Sequence, residues 1–171
     1  MTKETYLTSK GVEVKSKEEQ YFEWWLRELE GAGIIESYKY EPPPFLLSSR
    51  VTQTICKQLK TKTKFVDRTL LREHRYTLDF LIFWNKTPKW LYAQNLISHV
   101  DVKGSYARNF NDIAFGINQK WLYNDYGIYV QKVVPTKLFA RSFTPKRYLL
   151  TDKSNKPRKI NFKVTLLEDI L

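Results

Sequence analysis

The chain has 171 residues, the length of one domain with a core of its own. Its 29 Lys and Arg against 18 Asp and Glu leave a formal net charge of +11, and 15% of it is aromatic, a balance that points to a polyanionic partner and speaks against a disordered basic tail. No stretch approaches the roughly 18 apolar residues of a transmembrane helix, the charged opening residues lack a signal-peptide core, and a single cysteine, Cys56, provides neither a disulfide framework nor a cysteine-ligated zinc site within one chain, so a cytoplasmic protein without membrane association is expected.

In chain order, Ser16 is placed to cap a helix over 17–30, with Phe22, Trp25, Leu26 and Leu29 at helical spacing and Gly31 or Gly33 ending it. Residues 34–40 read as a strand, stopped by Pro42, Pro43 and Pro44, which sustain neither sheet pairing nor helix. Phe45 onward is expected to be extended, and 57–75 forms a basic, Thr-containing segment. The apolar run 76–84 then predicts a buried strand carrying Asp79 inside it, and Val100-Asp101-Val102-Lys103-Gly104 predicts the next. Phe110, Ile113, Ala114, Ile117, Trp121 and Leu122 predict an amphipathic helix over 109–124, 128–134 a strand, and the basic remainder from Lys137 a hairpin around 147–150 and 159–164. The whole reads as a single α/β domain with a core over about 16–134 and a basic extension over about 135–171.

Chemistry concentrates at Asp79, Asp101 and Lys103. Side chains alternate along a strand, so Asp101 and Lys103 point to one face while Val102 points into the core. Asp79 in an apolar strand is costly unless it is paired or metal-bound. Two carboxylates supply the hard oxygen ligands that Mg²⁺ (or Mn²⁺) takes, the Val102 carbonyl can add another, and Lys103 can position an attacking water and offset charge on a pentavalent phosphate. The competing reading is a strand-end acid paired with a lysine. Glu19 is a further candidate acid, although Ser16-x-x-Glu19 is equally a capping box; Glu23 lies one turn later on the same face.

The elements Ser16-Lys17-Glu18-Glu19 opening a helix, Tyr76-Thr77-Leu78-Asp79-Phe80-Leu81 and Asp101-Val102-Lys103-Gly104 resemble the PD-(D/E)xK nuclease superfamily, in particular its small phage-encoded, resolvase-like and transposon-end-cleaving members. The resemblance covers roughly 16–129. It departs from the pattern at Leu78, where proline often precedes the first acid, and at Asp101, where Glu is commoner. It implies the restriction-endonuclease-like αβββαβ core with a mixed central sheet flanked by helices and a metal-dependent endonuclease acting on duplex, branched or structured DNA. It also implies a place for Glu19 near the metal and a homodimer. Gln119 and Tyr123, at i and i+4, resemble an accessory motif of exonuclease-like members, able to orient Lys103 or touch the scissile phosphate.

The partner is further indicated by the basic segments. Lys57, Lys60, Lys62, Lys64 and Arg68 crowd one stretch, Arg72 and Arg75 continue toward Asp79, and Lys60, Lys62 and Lys64 share one face if the stretch is extended. A second group comprises Lys137, Arg141, Lys146, Arg147, Lys153, Lys156, Arg158 and Lys159, and Lys120 is a further phosphate contact. Such contacts give salt-sensitive affinity without sequence information. His74 and His99 lack metal-ligand spacing, and the sequence holds neither a phosphate-binding glycine loop nor a nucleophilic serine motif. The expected function is a Mg²⁺-dependent deoxyribonuclease. The alternatives are a non-catalytic nuclease-fold DNA-binding module and a basic nucleic-acid-associated assembly protein.

Overall fold

The computed structural model describes residues 6–7, 13–104, 110–152 and 154–171. Two short strands, β1 (Tyr6–Leu7) and β2 (Glu13–Val14), pair antiparallel ahead of helix α1 (Lys17–Gly31). Ser16 caps α1 by accepting a hydrogen bond from the Glu19 amide at 3.2 Å, one of the four orphan donors of a helix start. At the other end Gly33, with φ of 68°, donates to the Glu30 carbonyl and Ile34 to the Leu29 carbonyl. That pair of bonds is a Schellman ending, and it needs the left-handed backbone that glycine adopts without strain.

The central sheet has four strands in the order β10 (Val130–Val133), β9 (Ile97–Val102), β8 (Phe80–Trp84), β3 (Ile35–Tyr40). It is mixed: β10 runs parallel to β9, and the other pairs are antiparallel. Between β3 and β8 the chain makes β4 (Phe45–Ser48), β5 (Val51–Gln58), β6 (Thr63–Leu71) and β7 (His74–Tyr76). β4 pairs with β7, and β5 with β6. Helix α2 (Phe110–Tyr126) carries the crossover from β9 to β10, as a parallel pair requires. The chain then forms α3 (Pro135–Phe139) and two 3₁₀ turns, Lys146–Leu149 and Leu167–Asp169.

One sheet face presents Phe80, Ile82, Trp84, Val100, Val102 and Val133 to Phe22, Trp25, Leu26 and Leu29 of α1. The other side holds a smaller cluster in which Leu47, Tyr76 and Leu78 meet Phe115 and Leu122 of α2 and Val130. The molecule is therefore a mixed α/β sheet between helical layers, with a β-ribbon rising from the α2 side.

Four expectations need correction. The run 76–84 is not one strand: the chain leaves β7 at Tyr76 and enters β8 at Phe80, so Asp79 stands at the break. Pairing explains this, because Tyr76 belongs to the β4 ladder and Phe80 to the β3 and β9 ladders. On α2 the predicted apolar stripe holds only in its last turns, where Leu122 is buried and Trp121 packs against the core; Ile113 and Ile117 are 64% and 57% exposed, and Phe115, outside the stripe, is buried in their stead. The residues after 134 are not an appendage, since Leu138, Phe139, Phe143, Tyr148 and Leu167 complete the main core. Nor do they form the expected hairpin; among the described residues there the only strand-like pairing is an isolated bridge from Leu150 to Pro157.

Candidate functional site

The start of α1, the end of β3, the start of β8 and the end of β9 meet at one end of the sheet. Asp79 is held there through its backbone. Its amide donates to the Val100 carbonyl at 3.1 Å, and its carbonyl accepts from the Glu41 amide at 2.8 Å. Because β8 begins only at Phe80, the Val102 amide lacks a strand partner, and the Asp79 carboxylate supplies one, with Oδ2 accepting from it at 2.6 Å. A side chain thus finishes the ladder, and the two acids are brought to the same place.

Asp101, 4% exposed, lies on β9 directly opposite Lys132 of β10. Its Oδ2 accepts a hydrogen bond from the Tyr76 hydroxyl at 2.6 Å. Its Oδ1 is buried, and among the described contacts only the Lys103 ammonium pairs with it. Lys103 follows two residues on, its ammonium 5.8 Å from the Phe115 ring centre, so α2 supports it from behind. Val102 points the other way, into the α1-side core. Burial and the negative charge of Asp101 push the Asp79 carboxyl well above its ordinary value, against the opposing pull of the Val102 amide; Glu19 adds to the upward push. Two acids crowded out of water cannot both ionise freely without a cation.

Glu19 takes up the capping reading. Its Oε1 accepts from the Ser16 hydroxyl at 2.8 Å and its Oε2 from the Lys15 amide at 2.9 Å, a capping arrangement. It also reaches toward the acids, close enough for its charge to act on Asp79. The Tyr40 hydroxyl donates to Glu19 Oε2 at 2.6 Å. Glu23, one turn on, is buried and accepts from Tyr38 at 2.7 Å. The alternation of Tyr38 and Tyr40 on β3 thus matches the i, i+4 spacing of Glu23 and Glu19 on α1. Burial and these carboxylates raise all three phenols, Tyr38, Tyr40 and Tyr76, far above their ordinary range, so they remain donors. Tyr40 and Tyr76 are the site residues that motif reading missed. For Tyr40 the available signal was the Tyr-x-Tyr alternation facing Glu-x-x-x-Glu; Tyr76 had none.

Among the described residues no group of three or more His, Cys, Asp or Glu side chains is placed to hold a metal ion. Asp79 and Asp101 are the two carboxylates that could hold a hard cation such as Mg²⁺, which is commonly bound by one or two carboxylates and keeps several waters. Asp101 Oδ1, met by the Lys103 ammonium, is the oxygen that a cation would take over.

Other candidates are placed elsewhere. Gln119 donates to the Val130 carbonyl at 2.5 Å, which ties α2 to β10. With exposed Tyr123 and Lys120 it lines a surface cavity of about 550 Å³ whose lining includes neither the acids nor Lys103. Lys60 and Lys62 do not continue a straight row with Lys64: the chain turns at 59–62, where the Leu59 amide donates to the Lys62 carbonyl. The row therefore bends around a hairpin tip, while Lys57 and Lys64 face each other across it. Arg72 is exposed and Arg75 pairs with Glu73 at 2.8 Å. Lys146 pairs with Glu168, Arg147 lies over the Trp24 ring, and Arg158 is wedged between the Tyr21 and Tyr148 rings and paired with Asp152. Arg147 and Arg158 thus secure the last segment to α1, while the Lys146 side chain pairs within that segment; Lys153 lies outside the described residues. His74 bonds Asn118 and stacks on Trp121. His99 is half-buried, and burial lowers its basicity.

No helix of the described residues is long and apolar enough to cross a membrane. No protein-family model matches the chain, and neither the curated proteins nor the solved structures yield a relative.

Proposed function

We propose that this chain is a Mg²⁺-dependent deoxyribonuclease of the PD-(D/E)xK type, with the αβββαβ core of the restriction-endonuclease-like fold. The observation that carries the reading is the meeting of Asp79 and Asp101 at one end of the sheet with the Lys103 ammonium on Asp101 Oδ1. The order α1, β3, β8, β9, α2, β10 agrees with that core, with the β4 to β7 ribbon inserted after its first strand.

In this mechanism Asp79, Asp101 and the Val102 carbonyl would hold the cation, with Glu19 assisting. Bound there, Mg²⁺ supplies charge stabilisation to a phosphodiester and an acidified water. Lys103 moves from Asp101 toward the phosphate, where its ammonium orients the nucleophilic water and offsets developing negative charge. Tyr76 donates to Asp101 Oδ2 and Tyr40 to Glu19 Oε2, which fixes how the two carboxylates are aimed. Exposed cations on the ribbon and Lys120 on α2 grip the backbone, and DNA in duplex or branched form is the substrate.

The test is incubation of purified protein with matched duplex, flap, four-way-junction and single-stranded DNA in Mg²⁺, Mn²⁺ or chelator. Strand scission is expected only with the metal. Asp101→Ala and Lys103→Ala should each lower its rate at least about a hundredfold without weakening DNA binding in chelator. An Asp101→Ala protein that cuts at the wild-type rate would falsify the assignment. Metal-independent binding with no scission would favour the non-catalytic module.

A further inference from the structure

β5 and β6 form a two-stranded ribbon that pairs only with itself. Eight register pairs run from Val51 and Leu71 at its base to Gln58 and Thr63 near its tip, a length of about 27 Å at the usual rise per residue. Nearly every residue along it is exposed, including Phe65 at 70%. An isolated hairpin of this kind is marginal in water, and an uncovered one exposes unpaired strand edges.

Its charge is one-sided. Between Val51 and Leu71 stand five cations, Lys57, Lys60, Lys62, Lys64 and Arg68, against one acid, Asp67. Asp67 faces away from Lys57, Lys64 and Arg68 and is engaged by the Thr54 hydroxyl at 2.7 Å. Lys57 and Lys64 are direct cross-strand partners, a like-charge pairing that costs stability where no anion lies between them. Edge protection calls for lysines, but not for two of them opposed on one face with an arginine in line and two more at the tip.

The ribbon is also tied to the proposed centre. Its stem is the β4 and β7 pair, whose last register partner is Tyr76, the residue bonded to Asp101. Whatever the arm holds is thereby set in register with the acids.

We propose that the arm of residues 51–71 lies in the major groove of duplex DNA, with Lys57, Lys64 and Arg68 on the phosphates of one groove wall and Lys60 and Lys62 on those at its far end. The major groove of B-form DNA admits a two-stranded ribbon of this width, whereas that of A-form RNA is too narrow and deep for side chains to enter. This inference rests on the nuclease reading for its substrate but not for its test, which needs no catalysis.

Binding of a short labelled duplex is measured by anisotropy in chelator, across about 50 to 200 mM salt, for the wild type and for Lys57→Gln/Lys64→Gln/Arg68→Gln. The triple variant should lose about tenfold or more in affinity, and its salt slope should fall by about 2 to 3, because each phosphate contact contributes about 0.9. A second variant, with 51–71 replaced by a short turn between β4 and β7, should show the same loss while melting cooperatively. Losses should be smaller on duplex RNA. Unchanged duplex affinity in both variants, no duplex binding by the wild type, or equal losses on RNA and DNA would overturn the proposal. So would a wild-type dimer that becomes monomeric in the arm variants with DNA affinity intact, since the arm would then be a contact between copies. Arm-dependent binding without scission leaves the arm standing and removes the nuclease reading; scission that ignores the arm does the reverse.

Discussion

Asp79 gains its character from three neighbours: Val102, whose amide fixes it, and Asp101 and Glu19, whose charges resist its ionisation. Its folded carboxyl keeps a proton at pH values where the unfolded chain, at the ordinary 3.8, has lost its own. The stability this contributes to the metal-free protein is complete below that unfolded value and disappears as pH rises through the raised folded one. Asp79→Asn should therefore flatten the decline of unfolding free energy with rising pH, as read by urea titrations at several pH values in chelator; parallel slopes would contradict the assignment. Tyr76 tests the geometry instead. Tyr76→Phe leaves Asp101 Oδ2 buried without its donor, at a cost of about 1 to 3 kcal/mol, and on the proposed mechanism should weaken Mg²⁺ affinity by roughly tenfold to a hundredfold. Melting curves and the Mg²⁺ dependence of scission measure the two effects, and a wild-type Mg²⁺ dependence would mean that Tyr76 orients nothing.

Among the elements, α1 was fully legible because local signals at both ends agree with its apolar stripe. The Gly33 ending is one of those signals, and Gly33→Ala should lower stability by about 1 kcal/mol through its left-handed backbone alone. A denaturant midpoint equal to that of wild type would show that this helix end tolerates an L side chain. α2 was legible as a helix but only in part as a face. Its last turns, with Leu122, were read correctly, but only the sheet decides that Phe115 turns inward while Ile113 and Ile117 remain outside. The segment 76–84 misled for a similar reason: Tyr76, Leu78 and β8 are alike buried and apolar, and what separates Tyr76 from β8 is the choice of partner strand.

At the scale of the molecule, the last residues count as core. Phe143 stacks on Trp25 at 5.4 Å, and the Trp25 indole donates to Ser142 at 3.1 Å. A chain ending at Val134 loses Leu138, Phe139, Phe143, Tyr148 and Leu167 from the main cluster. At about 3 to 5 kcal/mol for each large aromatic, two lost phenylalanines alone rival the 5 to 15 kcal/mol that holds a domain. The truncated chain should show no cooperative melting transition by circular dichroism, and a sharp transition would return this segment to the status of an appendage.

What the amino-acid order determines unaided is local: the capped α1, the strands of the sheet, the surplus of positive charge, and an acid on each side of the β8 and β9 pairing with a lysine two residues beyond. Alternation and helical period act over a few residues, so they can be read without knowing what lies opposite. Tertiary structure alone decides that Asp79 stands in a break rather than in a strand, and that Tyr40 and Tyr76 aim the acids. It also decides that one basic group projects as an arm while another is spent on holding the final segment, because each of these depends on a partner distant in the chain and chosen by packing.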